Sequence, residues 1–544
     1  MLWWQSGVVY QIYPRSFYDT SGDGVGDLAG IIEKLAYLEE LGVDAIWISP
    51  FYPSPMADFG YDVSNYTDVD PLFGDLATFD RLIAEAHARN LRVIVDFVPS
   101  HSSDQHPWFV ESRASRDNPK RDWYVWADPK PDGSPPNNWV SVFGGGAWEW
   151  DPATRQYYLH SFLSEQPDLN WRNPAVKAAM FDAVRFWLDR GVDGFRLDTV
   201  LRIMKDPAMR DNPWNETQEL HMHRPMGEFD AQVHIHDIAH PDIHPLFREL
   251  RQLLDSYDPE RPRLAIAELH IYDLGRWASY YGAHLDELHL PFNFALLNTP
   301  WNAGSVGKLV AGIEAAVPPG AWPNYVLGNH DEPRVATRVG REQARVAMML
   351  LLTLRGTPTL YNGDELGMAD VPIPQERVQD PWGKQVPGLN LGRDPARTPM
   401  QWSAEANAGF CAPGVEPWLP VADDYRQVNV AAESRDRRSM LALTRALLEL
   451  RRATPALHAG SHESVAGVPD DCLVYIRKWE ARRYLVALNL GARPQILSLP
   501  GLGRGRVVLS TGMDRDGSAE LGSFELRGHE GCVIALDAAS QRNS

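Results

Sequence analysis

Asp193-Gly194-Phe195-Arg196-Leu197-Asp198-Thr199 is a short apolar run that ends in charge. It reads as a strand in which Arg196 and Asp198, two residues apart, present their side chains to the same face. Three other stretches share the form. Arg92 to Val98 carries Asp96 and leads into Pro99-Ser100-His101, Leu264-Ala265-Ile266-Ala267 ends at Glu268, and Asn324 to Asn329 runs into His330-Asp331. Each puts an acid or an imidazole at the C-terminal tip of a predicted parallel strand, which is where barrel enzymes keep their active sites. One acid at a strand end is ordinarily a helix N-cap or a surface residue. Four such tips in one chain call for a chemical explanation.

Working outward, strand-like runs at 8–14, 45–50, 92–98, 193–199, 263–269, 287–294, 324–329 and 357–361 alternate with amphipathic segments. The segments 28–41, 76–89, 175–190, 342–354 and 439–452 read as helices, with Asn173-Pro174 as a start signal and Gly42 and Gly191 as stop signals. Eight strands with following helices predict an α/β fold, a (β/α)8 TIM barrel. Between the third strand and its helix, 102–170 form a long segment rich in Trp, Pro, Gly and Asn. Loops of this length are uncommon unless functional, so it reads as an inserted subdomain overhanging the site. After about Ala459 the periodicity changes from helical to alternating, which predicts a C-terminal antiparallel β domain. The expected division is therefore barrel 1–101, inserted subdomain 102–170, barrel 171–459 and β domain 460–544.

The 544 residues are 44% hydrophobic, enough for one large core, and carry a formal charge of -20. That charge repels polyanions, so nucleic acid and anionic membrane are poor partners and a neutral or cationic substrate is expected. Cys411, Cys472 and Cys532 are few, odd in number and far apart. They read as free buried thiols of a reducing compartment. No basic segment with an apolar stretch behind it opens the chain, and no run approaches a membrane span, so the expectation is a cytoplasmic protein. The 19 tryptophans and 19 tyrosines supply flat rings of the kind on which sugars stack.

The strand tips suggest one chemistry. An arginine beside Asp198 would keep that carboxylate ionised, as a nucleophile requires. The apolar approach to Glu268 would raise its pKa and keep a proton available for donation. An ionised aspartate facing a protonated glutamate is the pair used by retaining glycosidases. Asp331 would be a third acid, able to hold hydroxyls and stabilise developing positive charge. The same residues could equally be buried ion pairs knitting the barrel's rim, and spacing alone does not choose between the two.

These segments resemble the signature regions of the α-amylase family, glycoside hydrolase family 13, along essentially the whole chain. Asp96 to His101 resembles the first region, Gly194 to Asp198 the second, Glu268 the third and Asn329-His330-Asp331 the fourth. Gln166-Pro167-Asp168-Leu169-Asn170 is similar to the fifth region of the oligo-1,6-glucosidase and α-glucosidase branch, and 42–50, 356–367 and 397–402 support the same branch. The resemblance implies Asp198 as nucleophile, Glu268 as general acid/base and Asp331 as transition-state stabiliser. It implies that His101, Arg196 and His330 bind glucosyl hydroxyls and the aspartates. It also implies that Asp58 pairs with Arg397 on the terminal 4-hydroxyl, giving exo-action, and that Tyr61 stacks on the sugar ring. Thr199, where 1,6-specific relatives tend to carry valine, favours α-1,4 linkages.

Ser100 stands where the family usually has asparagine, which argues against the amylase calcium site beside the insertion. A second loop, Asp19-Thr20-Ser21-Gly22-Asp23-Gly24-Val25-Gly26-Asp27, spaces oxygen donors at positions 1, 3, 5 and 9, with the carbonyl of Val25 between. Relatives bind one Ca²⁺ or Mg²⁺ at such a loop, and a structural ion held by Asp19, Ser21, Asp23, Val25 and Asp27 is expected. No organic cofactor is implied. The reading is an exo-acting retaining α-glucosidase that takes small neutral α-glucosides and passes glucosyl groups to water or alcohol acceptors. The loops 202–242 and 368–394 are expected to line the acceptor side. Within the family the rivals are 1,6-glucosidases and sucrose-directed enzymes, although the aromatic and charged loop of sucrose isomerases is not evident at 332–340. From another class, the rival is a catalytically dead transporter subunit, which needs a transmembrane helix this sequence lacks.

Overall fold

The computed structural model describes residues 1–217, 225–386 and 388–537. Eight short parallel strands form one sheet: β1 (Val9–Ile12), β2 (Ala45–Ile48), β3 (Arg92–Phe97), β4 (Gly194–Leu197), β5 (Leu264–Ala267), β6 (Leu290–Pro291), β7 (Asn324–Val326) and β8 (Thr357–Tyr361). Their order is β7-β8-β1-β2-β3-β4-β5-β6, so the sheet curls through the strands in sequence and brings β6 back towards β7. That seam is closed by a side chain: Asn324 accepts from the Asn293 amide at 2.9 Å and donates to the Pro291 carbonyl. The (β/α)8 barrel is thus the fold, with all eight expected strands present.

The strands are buried along their whole length apart from Arg92 at the start of β3. Register matters here because it sets which side chains meet at the rim. Asp96 lies opposite Arg196, and Arg196 opposite Ile266, so the acid of β3, the arginine of β4 and the glutamate after β5 converge at one level.

Helix signals in the sequence correspond to local chemistry. Asn173 caps the helix Pro174–Asp189 by accepting from the Ala175 amide, with proline at the first position. Gly42 ends Leu35–Leu41 at φ 94°, a conformation that glycine adopts without steric cost. The single helix expected over 28–41 is divided into Leu28–Glu33 and Leu35–Leu41. The break falls at Lys34, whose ammonium is held 3.6 Å from the Tyr18 ring centroid and 4.7 Å from that of Trp402.

Residues 102–170 carry the helix Pro107–Ala114 and a three-stranded antiparallel sheet of Trp126–Ala127, Gln156–Leu159 and Trp148–Asp151. Beyond 460, an antiparallel six-stranded sheet and a two-stranded one share a core of their own, with Val474, Leu485 and Ile534 from the first and Leu497 and Leu526 from the second. The three cysteines are free and buried. Among the described residues no helix is long and apolar enough to cross a membrane.

Candidate active site

Arg196 is the hub of the rim. Fully buried, it donates from Nη1 to Asp96 at 3.0 Å and to Asp198 at 2.5 Å, and from Nη2 to Glu268 at 2.9 Å. One guanidinium therefore serves three carboxylates, from strands β3 and β4 and from the end of β5. The peptide after Asp198 turns sharply: Thr199 lies at φ 41°, in the left-handed region. This turn gives Thr199 two tasks. Its amide donates to Glu268 Oε2 at 3.1 Å, and its hydroxyl donates to Asp198 Oδ2 at 3.1 Å. Ser100 continues the chain, 2.8 Å from Thr199 Oγ1 and 2.8 Å from His101 Nδ1. The serine that departs from the family pattern thus links Thr199, the residue after Asp198, to His101.

The protonation pattern of the carboxylate pair differs from the sequence expectation. Burial pushes Asp198 well above the usual carboxylate range; Arg196 opposes this, and the neighbouring Glu268 and Asp96 reinforce it. Glu268 does not have the apolar environment expected of it. Burial raises it, but Arg196 and a hydrogen bond from His270 Nε2 to Oε1, 2.9 Å long, bring it down to about 2. The apolar residues before Glu268 say nothing of this setting, which His270, two residues after it, completes.

Asp331 is held far below the usual range: burial raises it, and His330, Arg393 and Arg397 outweigh that. His330 Nδ1 faces Gln11 Nε2 at 2.7 Å, its Nε2 faces Tyr61 OH at 2.6 Å, and burial lowers its pKa to about 3. Burial likewise takes His101 down to about 4. Both imidazoles are therefore neutral near pH 7 and fit hydrogen-bonding roles. The Tyr61 ring lies parallel to that of His330, 3° apart in plane, with one side of the residue on the cavity.

The clamp on Asp58 is corrected. Its ion-pair partner is Arg393, at 2.6 Å from Nη2 to Oδ1, and not Arg397. Arg393 also holds Asp380 at 2.6 Å and Asp331 at 3.2 Å. Arg397 instead donates to the His330 carbonyl at 2.7 Å and to Asp331 at 2.8 Å. Both arginines lie in the 393–397 turn, and sequence offers no reason to choose between them. Gln166, from the insertion, reaches Asp58 at 3.3 Å and His101 at 3.1 Å.

Asp58, Tyr61, His101, Asp198, Thr199, Glu268, His270, Asp331 and Arg393 border a cavity of about 340 Å³, while Arg196, His330 and Arg397 stand behind its wall. Its lining combines Asp58, Tyr61, His101, Asp198, Glu268 and Asp331 with the apolar Val142, Phe143, Phe162, Met226, Phe229 and Ile238. Of the loops expected on the acceptor side, 202–242 and 368–394 both contribute, and their residues 218–224 and 387 lie outside the described residues.

The Asp19–Asp27 loop lies apart from this cavity. Asp27 caps the helix Leu28–Glu33 through the Gly30 amide and takes further hydrogen bonds from Thr20 and Ser21. Asp19 accepts from Ser21 Oγ and from the amides of Gly22 and Gly24, and Asp23 accepts from the Val25 amide. Among the described residues, no three acidic, histidine or cysteine side chains gather closely enough to hold an ion. The donors are all hard oxygens, which suits Ca²⁺ or Mg²⁺.

Comparison with known proteins agrees with this geometry. The family model for the α-amylase catalytic domain matches residues 11–460. A probable alpha-glucosidase of Rhizobium meliloti (strain 1021) is 46% identical over 477 residues, covering 85% of each chain. The oligo-1,6-glucosidase of Parageobacillus thermoglucosidasius is 36% identical over 98% of this chain and 99% of its own. Among solved structures, an alpha-glucosyl transfer enzyme, XgtA, superposes with a TM-score of 0.92 at 43% identity, covering 99% of this chain and 100% of that one.

Proposed function

The chain belongs to the α-amylase family of glycoside hydrolases, in its α-glucosidase branch, and from that premise we propose that it is an exo-acting, retaining enzyme that favours short α-1,4-linked glucosides. The observation that carries this reading is the shared guanidinium: Asp198 and Glu268 hang from two nitrogens of Arg196. That arrangement favours the close carboxylate pair of a retaining enzyme over the wider gap an inverting enzyme leaves for water.

The chemistry then runs in two displacements. An oxygen of Asp198 attacks the anomeric carbon, the glycosidic C–O bond breaks, and Glu268 gives its proton to the departing oxygen. Water, or an alcohol acceptor, next attacks the same carbon from the other side. Glu268 takes its proton, the ester to Asp198 breaks, and glucose or a new glucoside leaves with α-configuration. The two pKa shifts run in opposite directions, Asp198 upward by burial and Glu268 downward through Arg196 and His270, so the double displacement requires the proton to be on Glu268 when the bond breaks.

Asp331, held ionised by Arg393 and Arg397, sits where an anion can stabilise the oxocarbenium-like transition state. Asp58 and Arg393 supply a charged grip for the hydroxyl of a terminal glucose. The apolar remainder of the cavity suits the aglycone and alcohol acceptors. At the Asp19–Asp27 loop, Asp27 is committed to its helix cap, so a bound Ca²⁺ or Mg²⁺ would rely on Asp19, Ser21, Asp23 and the Val25 carbonyl, in a structural role.

Hydrolysis of 4-nitrophenyl α-D-glucopyranoside followed by proton NMR tests the reading: α-glucose should appear before mutarotation. Asp198→Asn should abolish turnover without changing the circular-dichroism spectrum. Initial release of β-glucose, or a tenth of normal activity left in the variant, would overturn it.

A further inference from the structure

Among the charged groups that line the cavity, Arg202 has no task in glucosyl transfer. Arg202 lies four residues after Asp198, borders the same cavity and is 7% exposed. The rings of Phe162 and Phe229 flank its guanidinium, with centroids 5.4 and 5.2 Å away. Its nearest carboxylate, Asp237, is 3.8 Å away, which is an ion pair but not a hydrogen bond.

Asp237 is already engaged on both oxygens, by His234 Nδ1 at 2.8 Å and by Asn212 Nδ2 at 2.9 Å. Asp168, the other acid acting on Arg202, is taken up by Ser161 and by Lys205 at 2.6 Å. Among the described residues, no hydrogen bond leaves the Arg202 side chain. Donors that no protein group takes up on the cavity wall are available to a ligand there.

The geometry points to Arg202 as a recognition element for aglycones and acceptors that carry a carboxylate. A carboxylate is the planar acceptor that a guanidinium edge meets with two parallel hydrogen bonds. The flanking rings hold the cation in place and suit an aromatic or aliphatic body between the glycosidic oxygen and the anion. Asp198 and Glu268 repel an anion, so the carboxylate must stand away from the cleaved bond, against Arg202. This inference rests on the glucosidase reading of the cavity.

The test compares kcat/KM for 3- and 4-carboxyphenyl α-D-glucopyranosides with the matching carbamoylphenyl glucosides, which have the same shape and no charge. Arg202→Met should lower the carboxylate-to-amide ratio by about tenfold or more for at least one isomer, and Arg202→Lys should retain part of it. An unchanged ratio in Arg202→Met, or equal losses on acid and amide, would mean that Arg202 only supports the wall and would overturn the inference. A wild-type enzyme that cleaves the amides but shows no ratio to lose overturns it too. Failure to cleave any of the four glucosides instead removes the glucosidase reading, and the inference with it.

Discussion

Arg393 Nη2 stands 2.6 Å from Asp58 Oδ1, and the same guanidinium reaches Asp331 Oδ1 at 3.2 Å. One guanidinium therefore ties Asp58 to Asp331, and under the proposed function it would couple the grip on the terminal glucose to the stabilisation of charge at the anomeric carbon.

Removing the clamp should be expensive for catalysis. Asp58→Ala leaves Arg393 without one of its buried partners, and kcat/KM on maltose should fall about thirty- to several-thousand-fold, or about 2–5 kcal/mol. Soluble starch should be a far poorer substrate than maltose at equal mass, because it offers only its chain ends. Rapid loss of iodine colour with little glucose released would show internal cleavage and end the exo reading.

His270 should set where the enzyme works on the pH scale. Its hydrogen bond and charge favour ionised Glu268, so His270→Gln should raise the proton affinity of the Asp198–Glu268 pair. The pH profile of kcat/KM on an aryl α-glucoside should then move to higher pH, with both limbs belonging to the pair as a unit. A shift to lower pH, or none, would remove His270 from that role.

Thr199→Val keeps the β-branch but removes the hydroxyl that joins Asp198 to Ser100. The maltose-to-isomaltose ratio of kcat/KM should fall by about threefold or more. The same ratio in both proteins would show that linkage preference is set elsewhere.

If the Asp19–Asp27 loop holds a structural cation, thorough chelation should lower Tm more than it lowers the rate at low temperature. An unchanged Tm, together with metal-free protein by elemental analysis, would leave this loop as a helix cap only.

What could be read from the sequence was what repeats. Each barrel strand is a short β-branched or apolar run with a polar tip, and the eight runs 8–14 to 357–361 all contain the observed strands. Arg196 and Asp198 were placed on one face by the two-residue period alone. What could not be read depended on loops folding back. Arg393 and Arg397 are four residues apart in one turn, and only the path of that turn decides which meets Asp58. Glu268 looked apolar because its strand is; the charge around it comes from β4 and from His270 on the far side of the strand tip. Arg202 drew no notice because its meaning lies in what fails to bond to it.

Thr199 has a consequence beyond substrate choice. A β-branched residue at φ 41° holds its backbone against a steric penalty of about 1–3 kcal/mol, which glycine would not incur. The molecule keeps the threonine conformation because its amide and hydroxyl serve Glu268 and Asp198 at once. At this position durability and turnover are opposed. Selection of this chain for heat resistance alone should favour glycine at 199, and the resulting protein should be the sturdier one and the poorer enzyme.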